Sequence, residues 1–177
     1  GCVLTMGAEP VAVGVEAQLI VDEILKLGVT HIVVIPDTYQ RTLIAKLAEL
    51  DSPKLVLVCT EDEAMGVNAG LYMGGQSPMM LIQNNGIFAS INTMKAIALD
   101  AKGPTFILVG QFLRDATKKV EDNRARAVRL LEPTLDTWGV PHYRLEGPDD
   151  LGVFREAYDR AQADLGPVCV IVGAPTI

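Results

Sequence analysis

The 177-residue sequence predicts an α/β fold, a doubly wound six-stranded, mostly parallel sheet with helices on both faces. Short segments such as HIVVI (31–35), PMMLI (78–82) and VCVIV (168–172) are apolar along their whole length, as strands covered on both faces are. Between them run stretches with apolar residues at helical spacing, for example Val15, Leu19, Ile20, Ile24 and Leu27. The two kinds alternate along the chain, which is the pattern of parallel strands joined by right-handed crossover helices.

In order, a helix is expected over 15–27, stopped by Gly28, then a strand over 31–35 that ends at Pro36-Asp37. A helix over 38–50 leads to a second buried strand over 54–59 (KLVLVC), and 61–74 is helical again. The third strand, 78–82, is followed by a helix from about 87 to 99 and the fourth strand, TFILV, over 105–109. A polar stretch over 111–123 precedes a helix ending near Trp138, a short fifth strand over 142–145, a helix over 149–165 and the last strand over 168–172. Residues 14–177 are expected to form a single domain, with 1–13 a loose leader or cloning remnant before Met6.

Composition narrows the function. A net charge of -7 argues against a nucleic-acid surface or a polybasic membrane anchor. No apolar run approaches the ~20 residues of a membrane span, and no Lys or Arg precedes Lys26, so no secretory signal is expected. Three cysteines, Cys2, Cys59 and Cys169, without a CxxC spacing suit reduced, cytoplasmic thiols and no zinc site. Nothing matches a phosphate loop, and His31 and His142 flank strands with no loop nucleophile near either. No metal site is expected within this chain.

In a sheet of this kind ligands sit beyond the carboxyl ends of the strands. The loops there are IPDT (35–38), CTEDE (59–63), QNNG (83–86) and GQFLR (110–114), each polar directly after an apolar strand. Much of this has a plain structural reading. Thr60 and Glu63 fit a capping box, carboxylates favour a helix N-terminus, and Asp37, Asn84 and Asn85 suit turns and caps. Capping does not explain the helix that follows. Gly66 and Gly70 share a face at a cost of roughly 1 kcal/mol each relative to alanine. Met65, Val67, Leu71 and Met73 leave it hardly any polar side, so it is expected to be buried nearly all round, in a subunit interface.

The stretch resembles the pyrimidine-binding (Pyr) domain of thiamine-diphosphate-dependent 2-oxo acid decarboxylases, where a Glu ends the second strand, with Ala three residues on and Gly nine residues on. Glu61, Ala64 and Gly70 match; counting from Glu63 gives Gly66 and Tyr72, which does not. The likeness is nearest to sulfopyruvate and phosphonopyruvate decarboxylases, which carry a VPDS-like first loop, as Ile35 to Thr38 here, a QN-x-G after the third strand, as Gln83 to Gly86, and a Ser-Ile-Asn segment, as Ser90 to Asn92. It spans roughly residues 14 to 175.

The resemblance implies a catalytic role for Glu61, hydrogen-bonded to N1′ of the cofactor's aminopyrimidine and favouring its imino tautomer. The dipole and capping amides of the helix favour a charged carboxyl there and an apolar interface a neutral one, which suits a group that shares a proton. Ala64, Asn84, Asn85 and Gly86 would contact the cofactor. Asp37, Thr38, Arg41 and Arg114 would line the substrate side, with Asp37 handling protons. Six basic residues between 114 and 129, from Arg114 to Arg129, are mostly a solvated face but could attract a dianion. The family holds the diphosphate through magnesium with a GDG motif and a later Asn on a separate PP domain. No GDG occurs here. A β-type partner subunit is therefore implied, in a hetero-oligomer, with a Pyr–Pyr dimer when the chain is alone. The reaction implied is decarboxylation of a small 2-oxo acid with a second anionic group. An acetolactate-synthase-like carboligase subunit and a non-catalytic Pyr-like interaction module stay open as alternatives.

Overall fold

A computed structural model describes residues 14–177; the leader expected over 1–13, Cys2 included, lies outside the described residues. Helix α1 (Ala17–Leu27) buries Ala17, Ile20, Val21, Ile24 and Leu27 on one stripe and ends where Gly28 turns left-handed at φ 74°. Then follow β1 (His31–Val34), α2 (Arg41–Ala48), β2 (Lys54–Leu57), α3 (Glu61–Met73) and β3 (Pro78–Gln83). After β3 come α4 (Asn84–Ala89), one turn of helix α5 (Ile91–Thr93), a π-helix (Met94–Asp100) and β4 (Thr105–Gly110). The chain closes with α6 (Arg126–Thr137), β5 (His142–Leu145), a 3₁₀ turn (Pro148–Asp150), α7 (Val153–Asp164) and β6 (Pro167–Val172).

The six strands are all parallel, in the order β2-β1-β3-β4-β6-β5. His31 stands opposite Lys54 on one side and Pro78 on the other, so the three strands begin level. The core has two layers. Residues of α1, α2 and α7, among them Ile24, Leu43 and Phe154, pack on one face. Residues of α3, α4, the π-helix and α6, among them Met65, Ile87, Met94 and Leu131, pack on the other. The central strands β3, β4 and β6 are buried almost throughout, which is why they are apolar at nearly every position, Gln83 and Thr105 excepted. Phe106 on β4 meets Phe154 and Tyr158 of α7 edge-on, at ring-centroid distances of 6.1 and 5.7 Å, which fixes α7 against the sheet.

Several expectations need correction. The strand ending at CTEDE is not buried: β2 is an edge strand with β1 as its one neighbour, and Leu57 is 67% exposed. The helix expected from 38 begins at Arg41, because the Asp37 side chain captures the Tyr39 N–H and holds 38–40 in a turn. The helix expected from 87 begins at Asn84 and breaks at Ser90, whose hydroxyl donates back to the Gly86 carbonyl at 2.7 Å before the chain resumes as a π-helix. The helix expected over 149–165 is divided into the 3₁₀ turn and α7. Within this chain α3 is not buried all round. It buries Ala64, Met65 and Asn68 and leaves Gly66, Gly70 and Met73 facing out.

Candidate active site at the carboxyl ends of β1, β2 and β3

Strands β1 and β3 are neighbours, yet α2 leaves β1 toward one face of the sheet and α4 leaves β3 toward the other. Chain segments diverging from adjacent strands open a crevice at their carboxyl ends, the usual ligand position in such sheets. The loops over 35–40 and 83–86 flank it.

The third wall is the start of α3. Thr60 is extended (φ -139°, ψ 157°) and its hydroxyl accepts from the Glu63 N–H at 3.3 Å. The Glu63 carboxylate accepts from the Cys59 N–H at 2.8 Å, one residue before the cap. Asp62 accepts from the Thr93 hydroxyl of α5. Capping and tethering thus account for Thr60, Glu63 and Asp62 and leave Glu61 over. Its half-buried side chain crosses to α4 and lies on Gly86: a Cβ there would stand 2.4 Å from Glu61 Cγ and 2.7 Å from Oε1. Position 86 is glycine because the carboxyl group occupies the place of a side chain. Ala64, one turn along α3, is fully buried in the core beneath.

The loop after β3 divides its two asparagines. Asn84 is buried, accepts from the Asn85 N–H at 3.0 Å and donates to the Phe112 carbonyl at 3.2 Å, which ties this loop to the one after β4. Asn85 is exposed and donates to Gln83 Oε1 at 2.9 Å.

Asp37, Thr38 and Arg41 come together with Pro36 and Ile44 around an open depression of about 200 Å³. Arg41 and Thr38 are exposed there, whereas the Asp37 carboxyl turns inward. Its Oδ1 accepts from the Tyr39 N–H at 2.9 Å and its Oδ2 from Gln40 Nε2 at 3.0 Å. Burial pushes the Asp37 carboxyl above the usual carboxylate range, and the Gln40 and Tyr39 donors act against it.

Arg114 does not join this depression. Its guanidinium donates to the Asp115 and Lys118 carbonyls at 2.7 and 2.5 Å and stands 3.8 Å from Glu146. Around it lies a polar network that sequence reasoning missed. Arg144 on β5 donates to Glu132 at 3.1 Å, to Gln111 Oε1 at 3.0 Å and to Glu146. The Tyr39 hydroxyl donates to the Gly173 carbonyl at 3.1 Å, and burial pushes that phenol up to about 12. An arginine inside a short strand with Glu146 two residues on was the visible sign of this network; Glu132 and Gln111 come from other elements and follow no spacing in sequence.

No family model matches the chain. Among curated proteins it is similar to the alpha subunit of sulfopyruvate decarboxylase from Methanococcus maripaludis, 23% identical over 161 residues, covering 89% of this chain and 94% of that one. It is also similar to the alpha subunit of sulfopyruvate decarboxylase from Methanocaldococcus jannaschii, 30% identical over 106 residues, 59% of this chain and 62% of that one. Among solved structures it matches benzoylformate decarboxylase from Polynucleobacter necessarius (TM-score 0.69, 22% identity) over 93% of this chain. A Mycobacterium smegmatis protein described as a thiamin diphosphate-dependent enzyme matches over 96% (TM-score 0.66, 20% identity). The fold is that of the matched part of these two structures. The chain spans only 31% and 33% of the length of those two structures.

Proposed function

We propose that this chain is the Pyr-type, alpha subunit of a split thiamine-diphosphate-dependent decarboxylase acting on a short 2-oxo acid with a second anionic group. The observation that carries the proposal is the Glu61 carboxyl laid on Gly86 at the mouth of the β1/β3 crevice, at the position the resemblance singles out. The residues present fit the cofactor's aminopyrimidine. A carboxyl group left over by the helix cap stands beside a backbone stripped of its side chain, next to an uncovered helix face. Glu61 would hold and orient a ring nitrogen there through Oε1, with Ala64 packed beneath and the Gly86 backbone alongside. Asn84 would fix the loop, and the exposed amide of Asn85 is available as a donor. When bound, thiamine diphosphate would supply the electron sink for loss of CO2.

On the substrate side, Thr38 and Arg41 would meet the second anionic group in the depression, with the Asp37 carboxyl behind them as a proton carrier. Arg114, wrapped in its own loop, would contribute positive potential rather than free donors. The naming of the relatives as alpha subunits supports a second, beta-type chain, which would hold the magnesium and diphosphate. The outward Gly66/Gly70 face of α3 suits that chain, because among the described residues nothing beyond the helix's own backbone lies within 4 Å of a Cβ at either position. The free thiols of Cys59 and Cys169 suit a reducing, cytoplasmic setting, and no helix of the described residues is long and apolar enough to cross a membrane.

The test is capture of the chain from a lysate of its source organism, with partners identified by mass spectrometry. Recovery of a chain with GDG and a later Asn, and CO2 release from 2-oxo acids by the pair with thiamine diphosphate and magnesium, is the expected result. Recovery of this chain alone would overturn the proposal.

A further inference from the structure

Gln40 is fully buried between the turn after β1 and the sheet, and it has no place in the roles assigned above. Its Nε2 donates twice, to Asp37 Oδ2 at 3.0 Å and to the Ile82 carbonyl of β3 at 3.1 Å. Its Oε1 is buried without a partner among the described residues. The pattern fixes which way the amide points. A backbone carbonyl can only accept, so the nitrogen must face Ile82, and the same nitrogen then faces Asp37. A flip would set Oε1 against two oxygens.

The space for this arrangement is made by Gly110, at the end of β4. A Cβ at position 110 would stand 2.0 Å from Asp37 Oδ2 and 2.8 Å from Gln40 Nε2. Three strands therefore converge on one carboxyl group: β1 carries it, β3 orients its amide partner and β4 leaves it room. An orphaned amide oxygen in a buried site costs about 1–3 kcal/mol, which is hard to account for unless the nitrogen side is needed.

We infer that Gln40 is a positioning residue, whose amide, locked by the Ile82 carbonyl, presents a permanent donor to Asp37 and so holds that carboxyl in a fixed place. The inference rests on the reading of Asp37 as a substrate-side proton carrier for its use in turnover, though not for its geometry. Burial acts on Asp37 most strongly and favours the neutral acid; the Gln40 and Tyr39 donors oppose it. The other titratable or charged groups near this corner are Tyr39 and Arg41 on the same segment, Arg114 on the loop after β4, and Arg144 and Glu146 at the end of β5. None of these makes a hydrogen bond to the Asp37 carboxylate through a charged side chain; its two side-chain oxygens meet amide donors.

The experiment is a carbon-13 NMR titration of the full chain labelled at the aspartate carboxyls, with Asp37→Asn used to assign the Asp37 signal. In Gln40→Met, which keeps the volume and removes the donor, the Asp37 midpoint moves to higher pH. A merely structural Gln40 would lower Tm in that variant and leave the midpoint where it was, and that result overturns the inference. Gln40→Glu is the second variant, expected to give a two-step titration because the new carboxyl faces both Ile82 and Asp37. The unmodified chain decides by itself if neither variant folds: the Gln40 side-chain N–H signals must titrate with the Asp37 midpoint, and their failure to respond also overturns it. In the assembled enzyme, the acidic limb of the kcat profile moves with the same midpoint while KM changes little. Absence of all turnover would count against the proposed function and leave the titration result standing.

Discussion

The carboxyl group of Glu61 occupies the space above Gly86 that a side chain there would fill, with Oε1 2.7 Å from the position of its Cβ. Two segments twenty-five residues apart in sequence are thereby locked at the mouth of one crevice. Glu61→Gln keeps the shape and removes the proton site. On the proposed function, turnover by the chain with its partner falls at least ~10²-fold, while the unfolding free energy stays within about 0.5 kcal/mol. Gly86→Ala forces the two side chains apart, costs about 1–3 kcal/mol and lowers turnover as well. CO2 release and urea unfolding of the same preparations check both, and full turnover in Glu61→Gln would refute the assignment.

The cap of α3 is separable from the chemistry. Thr60→Ala removes the acceptor for the Glu63 N–H and costs about 1 kcal/mol. Its effect on turnover should not exceed what partial unfolding explains. Thermal unfolding and activity at a temperature well below Tm distinguish the two.

The outward glycines of α3 give opposite results alone and in complex. Among the described residues nothing beyond the helix's own backbone lies within 4 Å of a Cβ at Gly66 or Gly70, so alanine at either position stabilises the isolated chain by about 0.5–1 kcal/mol. A bulky Gly70→Leu leaves the isolated chain folded and blocks association with the partner chain. Sedimentation of mixtures against the chain alone reads this directly.

The two described cysteines differ in reactivity. Burial pushes the Cys169 thiol up to about 12, whereas Cys59 is exposed at the end of β2. Peptide mapping after brief alkylation at pH 8 finds Cys59 modified and Cys169 protected until the chain unfolds. The sign of the linkage follows. A thiol whose folded value is raised binds more protons folded than unfolded, so stability falls as pH climbs above the unfolded value of about 8.5.

The Arg144 network is a structural brace for the loops after β4 and β5. Arg144→Met removes the nearest cation from Glu132 and Glu146, whose side chains are 23% and 38% exposed, and costs about 1–3 kcal/mol, less than a fully buried pair because solvent reaches both. A double-mutant cycle with Glu132→Gln, measured by urea unfolding, separates the pair from the rest.

The alternation of apolar runs with helical stripes was enough to anticipate six strands, their order in the chain and a sheet covered on two faces. That information is local: a period of two or a fully apolar run is set by the burial each segment needs. The capping of α3 by Thr60 and Glu63 was legible too, because Thr-x-x-Glu after an apolar run is a local pattern. Lateral order was not legible. KLVLVC looks like a central strand, and only the pairing of β2 with β1 alone makes it an edge. The break at Ser90 depends on a hydroxyl choosing a carbonyl one turn back over the continuing helix, which the helical pattern of 87–99 does not reveal.

What the sequence by itself determined is the fold class, the six strands, the polar loops at their carboxyl ends and the carboxylate at the head of α3. What tertiary structure alone decided is which loop meets which. Glu61 finds Gly86, Asp37 finds Gly110 through Gln40, and Arg144 finds Gln111 only after the strands take the order β2-β1-β3-β4-β6-β5. Each of these contacts joins elements distant in the chain, so no periodicity encodes it. The free energy of packing two helical layers on one sheet selects the arrangement, and the polar contacts form where that packing brings them together.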